Sequence, residues 1–224
     1  MPGPDDHKLD HYLAYLIDPW KLHFRVTLKG QFDKKFQKAT VTRFIRFLNP
    51  VIKNNEGKKN HHAHLNWYRI HTKELAQRKV AVRNQFGLQL LTLLRPVGLL
   101  VPAEKIEPNS QFPKELDHYK VYNAIPDKLI LRKVLLEDQF DKVETVVEQA
   151  VYFAVPVEKR HEKRHFRIHN KEDHLVFYSI VPKEFTRTHE VQSQFGPHQM
   201  TTIENELLGV PTFKLDWANV DAAT

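Results

Sequence analysis

The chain has 224 residues, of which 41% are hydrophobic and 27% charged, with a formal net charge of +7 and no cysteine. This length and composition are those of a globular protein that can bury a core. The lack of cysteine excludes disulfides, thiolate metal sites and cysteine nucleophiles, and the basic charge favours acidic partners.

The first residues, from Met1 to Asp6, lack the basic and apolar regions of a signal peptide. A complete chain is therefore expected to start in the cytoplasm, and the lack of cysteine favours the same compartment. No stretch of 18 apolar residues occurs, so no membrane insertion is predicted.

Three sequence anchors recur in the same order four times, which predicts four tandem repeats of about 54 residues. The first anchor is a histidine followed four residues later by tyrosine: His11/Tyr15, His64/Tyr68, His118/Tyr122 and His174/Tyr178. The second is Gln-Phe followed by Asp or Gly, beginning at Gln31, Gln85, Gln139 and Gln194. The third is a proline with lysine three residues on: Pro50/Lys53, Pro102/Lys105, Pro156/Lys159 and Pro211/Lys214.

Each copy is predicted to be a meander of three or four strands. Val26, Leu28 and Phe32 occupy period-2 positions before the first turn, which places one apolar face against a core. The Gly or Asp after each Gln-Phe suits a turn with unusual backbone angles. The anchor prolines mark strand ends or edges, where a missing N–H is tolerated. The His-Tyr and Gln-Phe anchors are therefore expected to be architectural.

The fold class is predicted to be all-β, with four repeats paired as two sandwich- or barrel-like halves; a pseudo-fourfold ring is the alternative. The joins after copies 1 and 3 are long and basic, whereas the join after copy 2, 106–115, is not, which predicts a domain boundary near residue 110. The predicted division is a disordered N-terminus at 1–8, copies 1 and 2 at 9–110, copies 3 and 4 at 111–216, and a C-terminal tail at 217–224.

The anchors resemble an uncharacterised repeat family of secreted bacterial proteins. Its units begin with Asp-His-Phe-Lys-Cys-Tyr, continue through Asn-Gln-Phe-Gly and end near Leu-Cys-x-Pro-x-x-Lys. The most similar stretches here run from Asp117 to Tyr122, from Asn84 to Gly87 and from Val101 to Lys105. The resemblance covers nearly the whole chain and implies secretion, but it carries no activity.

Apolar or small residues stand at the positions that hold cysteine in that family. They are Ala14 and Leu48, Trp67 and Leu100, Val121 and Ala154, and Phe177 and Gly209. If the resemblance implies a bridge between the first and last strand of each unit, packing replaces it here. A bridge stabilises by about 2–4 kcal/mol and a buried side chain by about 1.5–3 kcal/mol, so the exchange is energetically feasible. It fits a reducing compartment better than secretion.

Histidine clusters raise two metal hypotheses. The string from His161 to His165 matches H-E-x-x-H, the basis of an alternative function as a zinc-dependent hydrolase with a third ligand from His169, Glu172 or His174. That motif requires a helix, whereas this join lies between β-repeats. His61, His62 and His64 form the second cluster, but His64 is a repeat anchor, so a structural role explains it. We therefore predict no metal site and no cofactor.

The two basic joins are the predicted binding surface. Its candidate residues are Lys53, Lys58, Lys59, His61, Lys159, Arg160, Lys163, Arg164 and Arg167. If the copies pair symmetrically, the joins form one basic face; two solvated loops are the alternative. The predicted function is a non-catalytic structural or interaction module, a subunit of a larger assembly, that docks an acidic protein through these joins. A nucleic-acid-binding protein is the rival.

Overall fold

A computed structural model describes residues 8–55, 57, 60–74 and 77–220 as an all-β protein. The described residues form one sheet of twelve strands. The strands are β1 (His11–Gly30), β2 (Gln37–Lys53), β3 (His64–Thr72), β4 (Arg78–Asn84), β5 (Gly87–Lys105), β6 (His118–Pro126), β7 (Arg132–Glu137), β8 (Lys142–His161), β9 (Arg164–Phe166), β10 (His174–Glu184), β11 (Thr188–Ser193) and β12 (Gly196–Asn219). This part of the chain contains no helix long and apolar enough to cross a membrane.

The first and last strands of the four copies close into a ring. The order β1-β12-β10-β8-β6-β5-β3-β2 returns to β1, because β1 and β2 also pair. All these pairings are antiparallel, so each copy adds one hairpin-like unit to the ring. The all-β prediction with four repeats is confirmed, and of the two predicted arrangements the structure has the pseudo-fourfold ring. The boundary near residue 110 stays a prediction; β5 and β6, on either side of it, pair within the ring.

The middle strand of each copy connects copies on opposite sides of the ring. The second half of β1, in copy 1, pairs with the end of β8 in copy 3, and β7 in copy 3 pairs with the end of β2 in copy 1. Likewise β4 pairs with the end of β12, and β11 with the end of β5. Copies 1 and 3 therefore each pair a strand with the other, and copies 2 and 4 do the same.

The Gln-Phe anchor packs across the ring on the anchor tyrosine of the opposite copy. Edge-to-face aromatic packing of this kind adds about 0.5–1.5 kcal/mol beyond the burial of area. The four centroid distances are 5.7 Å for Phe32–Tyr122, 5.0 Å for Phe86–Tyr178, 5.3 Å for Phe140–Tyr15 and 5.0 Å for Phe195–Tyr68. The prediction that these residues belong to the core is confirmed, since all eight are buried.

Two of the anchor glutamines are hydrogen-bonded to the anchor histidine of the preceding copy. Gln85 of copy 2 bonds His11 of copy 1 at 3.0 Å, and Gln31 of copy 1 bonds His174 of copy 4. The second contact joins the first copy to the last, so the same polar pair that links neighbours also closes the ring.

A compact apolar cluster fills the inside of the ring. Trp67 on β3 and Phe177 on β10 are 5.0 Å apart between ring centroids, although their strands lie on opposite sides of the ring. The Cβ of any larger residue at Gly209 would lie 2.7 Å from the Phe177 ring, so glycine is required there. Large and small side chains therefore interdigitate across the interior.

The residue pairs at the family's cysteine positions are direct cross-strand partners. The four register pairs are Ala14↔Leu48, Trp67↔Leu100, Val121↔Ala154 and Phe177↔Gly209. Directly opposed residues on one sheet face are the pairs that pack most closely. Each copy therefore has an apolar contact between its first and last strand at this level, while the family's cysteine pattern stays an implication of the resemblance.

The turn after the Gln-Phe anchor differs among the copies. Gly87 and Gly196 have φ angles of +97° and +101° and close two-residue hairpin loops. This left-handed conformation is one that glycine adopts without strain. In copy 3, where Asp141 follows the anchor, Glu137 pairs with Lys142 and the loop is wider. The predicted unusual backbone angles are therefore confirmed for the two glycines and wrong for Asp33 and Asp141, neither of which has a positive φ.

Candidate functional site: a basic cleft

The predicted basic joins are not simple loops. Lys53 and Lys159 lie at strand ends and are 4% and 0% exposed, so neither presents its amine on an open surface. Lys58 and Lys59 lie outside the described residues. The exposed members are His61, Arg160, Lys163, Arg164 and Arg167. Lys53 borders β7 of copy 3, whereas Arg160 borders β1 of copy 1. That the two joins form one basic face stays a prediction.

The H-E-x-x-H string lies on a tight hairpin instead of a helix. Glu162 and Lys163 form the turn, Glu162 with φ of 53°, and His161 pairs with Arg164 while Arg160 pairs with His165. Paired residues point to the same face and successive residues to opposite faces. His161 and His165 therefore point to opposite faces and cannot bind one ion, which corrects the zinc-hydrolase alternative.

The remaining histidine cluster is divided between core and surface. His64 is buried and stacks on Phe47 at 5.3 Å, whereas His61 is exposed. Within the described ranges no group of three or more His, Asp or Glu side chains is placed to hold a metal.

The aspartates before the anchor histidines hold the joins in place. Asp117 accepts hydrogen bonds from the backbone N–H groups of His169 and Asn170, at 2.7 and 2.9 Å. Asp10 accepts one from the N–H of Asn60 at 2.9 Å. In each case the carboxylate at the start of a copy binds the join that leaves the same copy. These contacts give the Asp-His pairs a structural role.

A cleft with a volume of about 990 Å³ lies between the copy-1 hairpin and the β8–β9 hairpin. Most of its charged lining residues are basic, and all of these are exposed. The basic and imidazole lining residues are Arg25, Lys35, Lys38, His71, Lys73 and Arg160. Glu162 is the one carboxylate among the described lining residues. We call this site the basic cleft.

In the basic cleft, a cation covers the face of an aromatic ring. The Arg160 guanidinium lies 3.9 Å from the centre of the Phe36 ring, and His165 meets the same ring edge-on at 5.9 Å. A guanidinium at this distance gains about 0.5–1 kcal/mol at an exposed site. Arg160 is thereby fixed in the wall of the cleft.

Next to the cleft, cations stand opposite one another across three strands. Lys21 on β1 pairs with Arg43 on β2, and Arg43 pairs with Arg69 on β3. All three are exposed, and none forms an ion pair with a described carboxylate. Like charges directly opposite each other are destabilising. We call this set the cationic row.

Most of the basic cleft and all of the cationic row escape prediction from the sequence. Arg25, Lys38 and Arg43 occupy the outward positions of strands that are recognised by their inward residues. The alternation shows that these positions face solvent, but the register between strands is what places Lys21, Arg43 and Arg69 in one line.

Comparison with known proteins identifies a repeat family. No curated protein and no solved structure matches the chain. Residues 64–211 match a family described as a repeat of unknown function (DUF7450). The match runs from the anchor His64 to the anchor Pro211 and so spans copies 2 to 4, while copy 1 repeats the same anchors in the same ring. Because the match covers more than half of the sequence, the chain belongs to this family of repeats of unknown function.

Proposed function

We propose that the protein is a non-catalytic interaction module that docks an acidic protein surface on the basic cleft and the cationic row. The observation that carries the proposal is the row Lys21–Arg43–Arg69, three exposed cations opposed across three strands without an acidic partner among the described residues. The arrangement costs stability in the free protein, and an anionic partner would offset that cost.

The shape of the site favours an acidic protein over a single-stranded nucleic acid. Single strands are bound by cations together with aromatic rings on which bases stack. Of the described lining residues Phe36 is the one with a Phe, Tyr or Trp ring, and the Arg160 guanidinium covers its face. The cleft thus offers charge without a bare stacking platform.

The test measures binding of fluorescent poly-L-glutamate by anisotropy. The wild type should bind, with an affinity that falls as salt rises, because exposed charges are screened over about 10 Å at 0.1 M salt. Changing Arg43→Glu and Arg69→Glu together should weaken binding by about tenfold or more, since like charges then face the polymer.

A matched control changes the same number of charges in copy 3. Lys128→Glu with Arg132→Glu alters two exposed cations outside the cleft and should leave binding close to that of the wild type after correction for net charge. Equal losses in the two double variants would reject the cleft as the docking site. Tighter binding of a single-stranded oligonucleotide of equal charge would move the assignment to nucleic acid.

A further inference from the structure

Lys159 is a lysine whose amine is buried within the described part of the chain. It is 0% exposed, and its Nζ atom has no hydrogen-bond partner among the described residues. The rings of Phe166 and Phe195 lie 4.6 and 5.1 Å from the amine. Burial lowers the pKa of the Lys159 amine well below its ordinary value. An amine buried without a counter-ion is costly and needs an explanation.

Lys105, the equivalent lysine of copy 2, has polar partners that Lys159 lacks. The Lys105 amine lies 5.0 Å from the ring centre of Phe140, in the same arrangement as Lys159 and Phe195 at 5.1 Å. The Lys105 amine donates to Gln139 at 2.6 Å and forms an ion pair with Glu107 at 2.6 Å. The residue two positions after Lys159 is His161, so the carboxylate that copy 2 supplies is absent from copy 3.

A pocket of about 320 Å³ is lined by Phe166, one of the two rings that contact the Lys159 amine, although Lys159 itself does not line it. It shares no lining residue with the basic cleft. Its wall includes Phe166, which covers Lys159, together with His118 and Gln194, and its rim carries Lys114 and Arg167. No ion pair of the described residues involves either rim cation. A pocket of this size is at the lower end of the range for small-molecule sites.

We propose that this pocket binds a small carboxylate ligand, whose carboxylate takes the position beside Lys159 that Glu107 takes beside Lys105. Phe166 lies on β9, a strand of three residues that pairs with β8 at the end of a hairpin. Short, weakly packed segments open at the lowest free-energy cost, so its ring is the part of the wall that moves to admit the ligand. Lys114 and Arg167 then attract the anion at the rim.

Binding of the ligand is coupled to protonation. The imidazoles of His118 and His161 lie near enough to Lys159 for its charge to act on them, and burial followed by the nearby Lys159 lowers the pKa of His118. His165 and His169 are the other titratable residues that line the pocket. A carboxylate beside Lys159 favours the charged amine and so raises its pKa. A proton is therefore taken up when the ligand binds, and affinity increases as the pH falls towards the pKa of the empty site.

Calorimetric titration of the whole protein with succinate tests the proposal. Repeating the titration in buffers of different ionisation enthalpy should show proton uptake, and sulfate at equal ionic strength should bind at least about tenfold more weakly. Lys159→Met keeps the apolar stem and should abolish both binding and uptake. Lys105→Met, the matched change in copy 2, should leave both unchanged in protein that unfolds cooperatively.

A second variant tests the same proposal if Lys159→Met does not fold. His161→Glu supplies the carboxylate found in copy 2, so it should raise the melting temperature and prevent succinate binding. A short peptide that binds when succinate does not, with the same dependence on Lys159, would identify the carboxylate as that of a protein partner. Succinate binding that persists in His161→Glu, or no binding of either ligand, would overturn the proposal.

Discussion

The hairpins of copies 1 and 3 occupy equivalent places in the ring but carry different charges on their exposed faces. In copy 3, Lys133 and Glu144 form an ion pair at 3.8 Å on the exposed face. The equivalent residues of copy 1, by the strand pairing, are Arg25 and Lys38, two cations. The inward residues of the two hairpins, among them Val26 and Val134, are alike and buried. The repeat thus keeps its core and changes its outer face, which is where we expect function to lie.

The loops of the same two copies also differ in how they hold the ring. Asp33 of copy 1 reaches Lys120 of copy 3 in a buried ion pair at 2.7 Å, to which Glu74 adds a second carboxylate at 2.8 Å. Asp141, the equivalent of Asp33, pairs instead with Lys183 at the surface. The loop of copy 1 therefore reaches copy 3 through a buried charge network, whereas the equivalent loop of copy 3 forms an exposed pair with copy 4.

The largest expected effect comes from breaking the buried network. Lys120→Met should destabilise the protein by about 3–5 kcal/mol, because it leaves buried carboxylates without their counter-ion. Lys183→Met, the matched change at the exposed pair, should cost about 0–1 kcal/mol. Urea unfolding of both variants measures the two losses. Similar values would show that the two loop contacts do not differ as burial predicts.

Acid should weaken the same network. Burial alone would raise the pKa of Glu74, but the charges of Lys120 and Arg78 offset this and hold it below its ordinary value. The stabilisation is therefore complete above the pKa of an unfolded glutamate, about 4.3, and is lost as the pH falls through the lower folded pKa. Urea midpoints between pH 6 and 3 measure this loss.

Glu74→Gln is the control for the acid effect. It removes the titrating group, so the decline of stability in this pH range should be shallower than in the wild type. An unchanged profile would assign the acid sensitivity to other carboxylates.

The smallest expected effect comes from converting copy 1 to the charge pattern of copy 3. Lys38→Glu gives Arg25 an acidic neighbour and should stabilise the protein by about 0.2–1 kcal/mol, while weakening the binding of poly-L-glutamate. The reverse change, Glu144→Lys in copy 3, should destabilise by a similar amount. A variant of Lys38 that is less stable, or that binds as well as the wild type, would contradict a functional origin for the cationic pattern.

The sequence by itself determined the repeat, its strands and much of its core. The His-Tyr and Gln-Phe anchors recur in register, and the alternation around Val26 and Leu28 identifies the buried face from residue spacing alone. These features are local and periodic, so the order of residues is enough to reveal them. The same local reasoning predicted the binding surface in the basic joins, because basic residues lie close together in the sequence there.

Only the tertiary structure decided how the copies are arranged and where their charges meet. Phe140 packs on Tyr15 across the ring, and Lys21, Arg43 and Arg69 line up through strand register, which sequence spacing does not reveal. Lys159 is likewise buried in the structure, although its charge led to the prediction that it lies on the binding surface. Pairing between distant strands is chosen by packing over the whole ring, so these contacts exist only once the chain has closed.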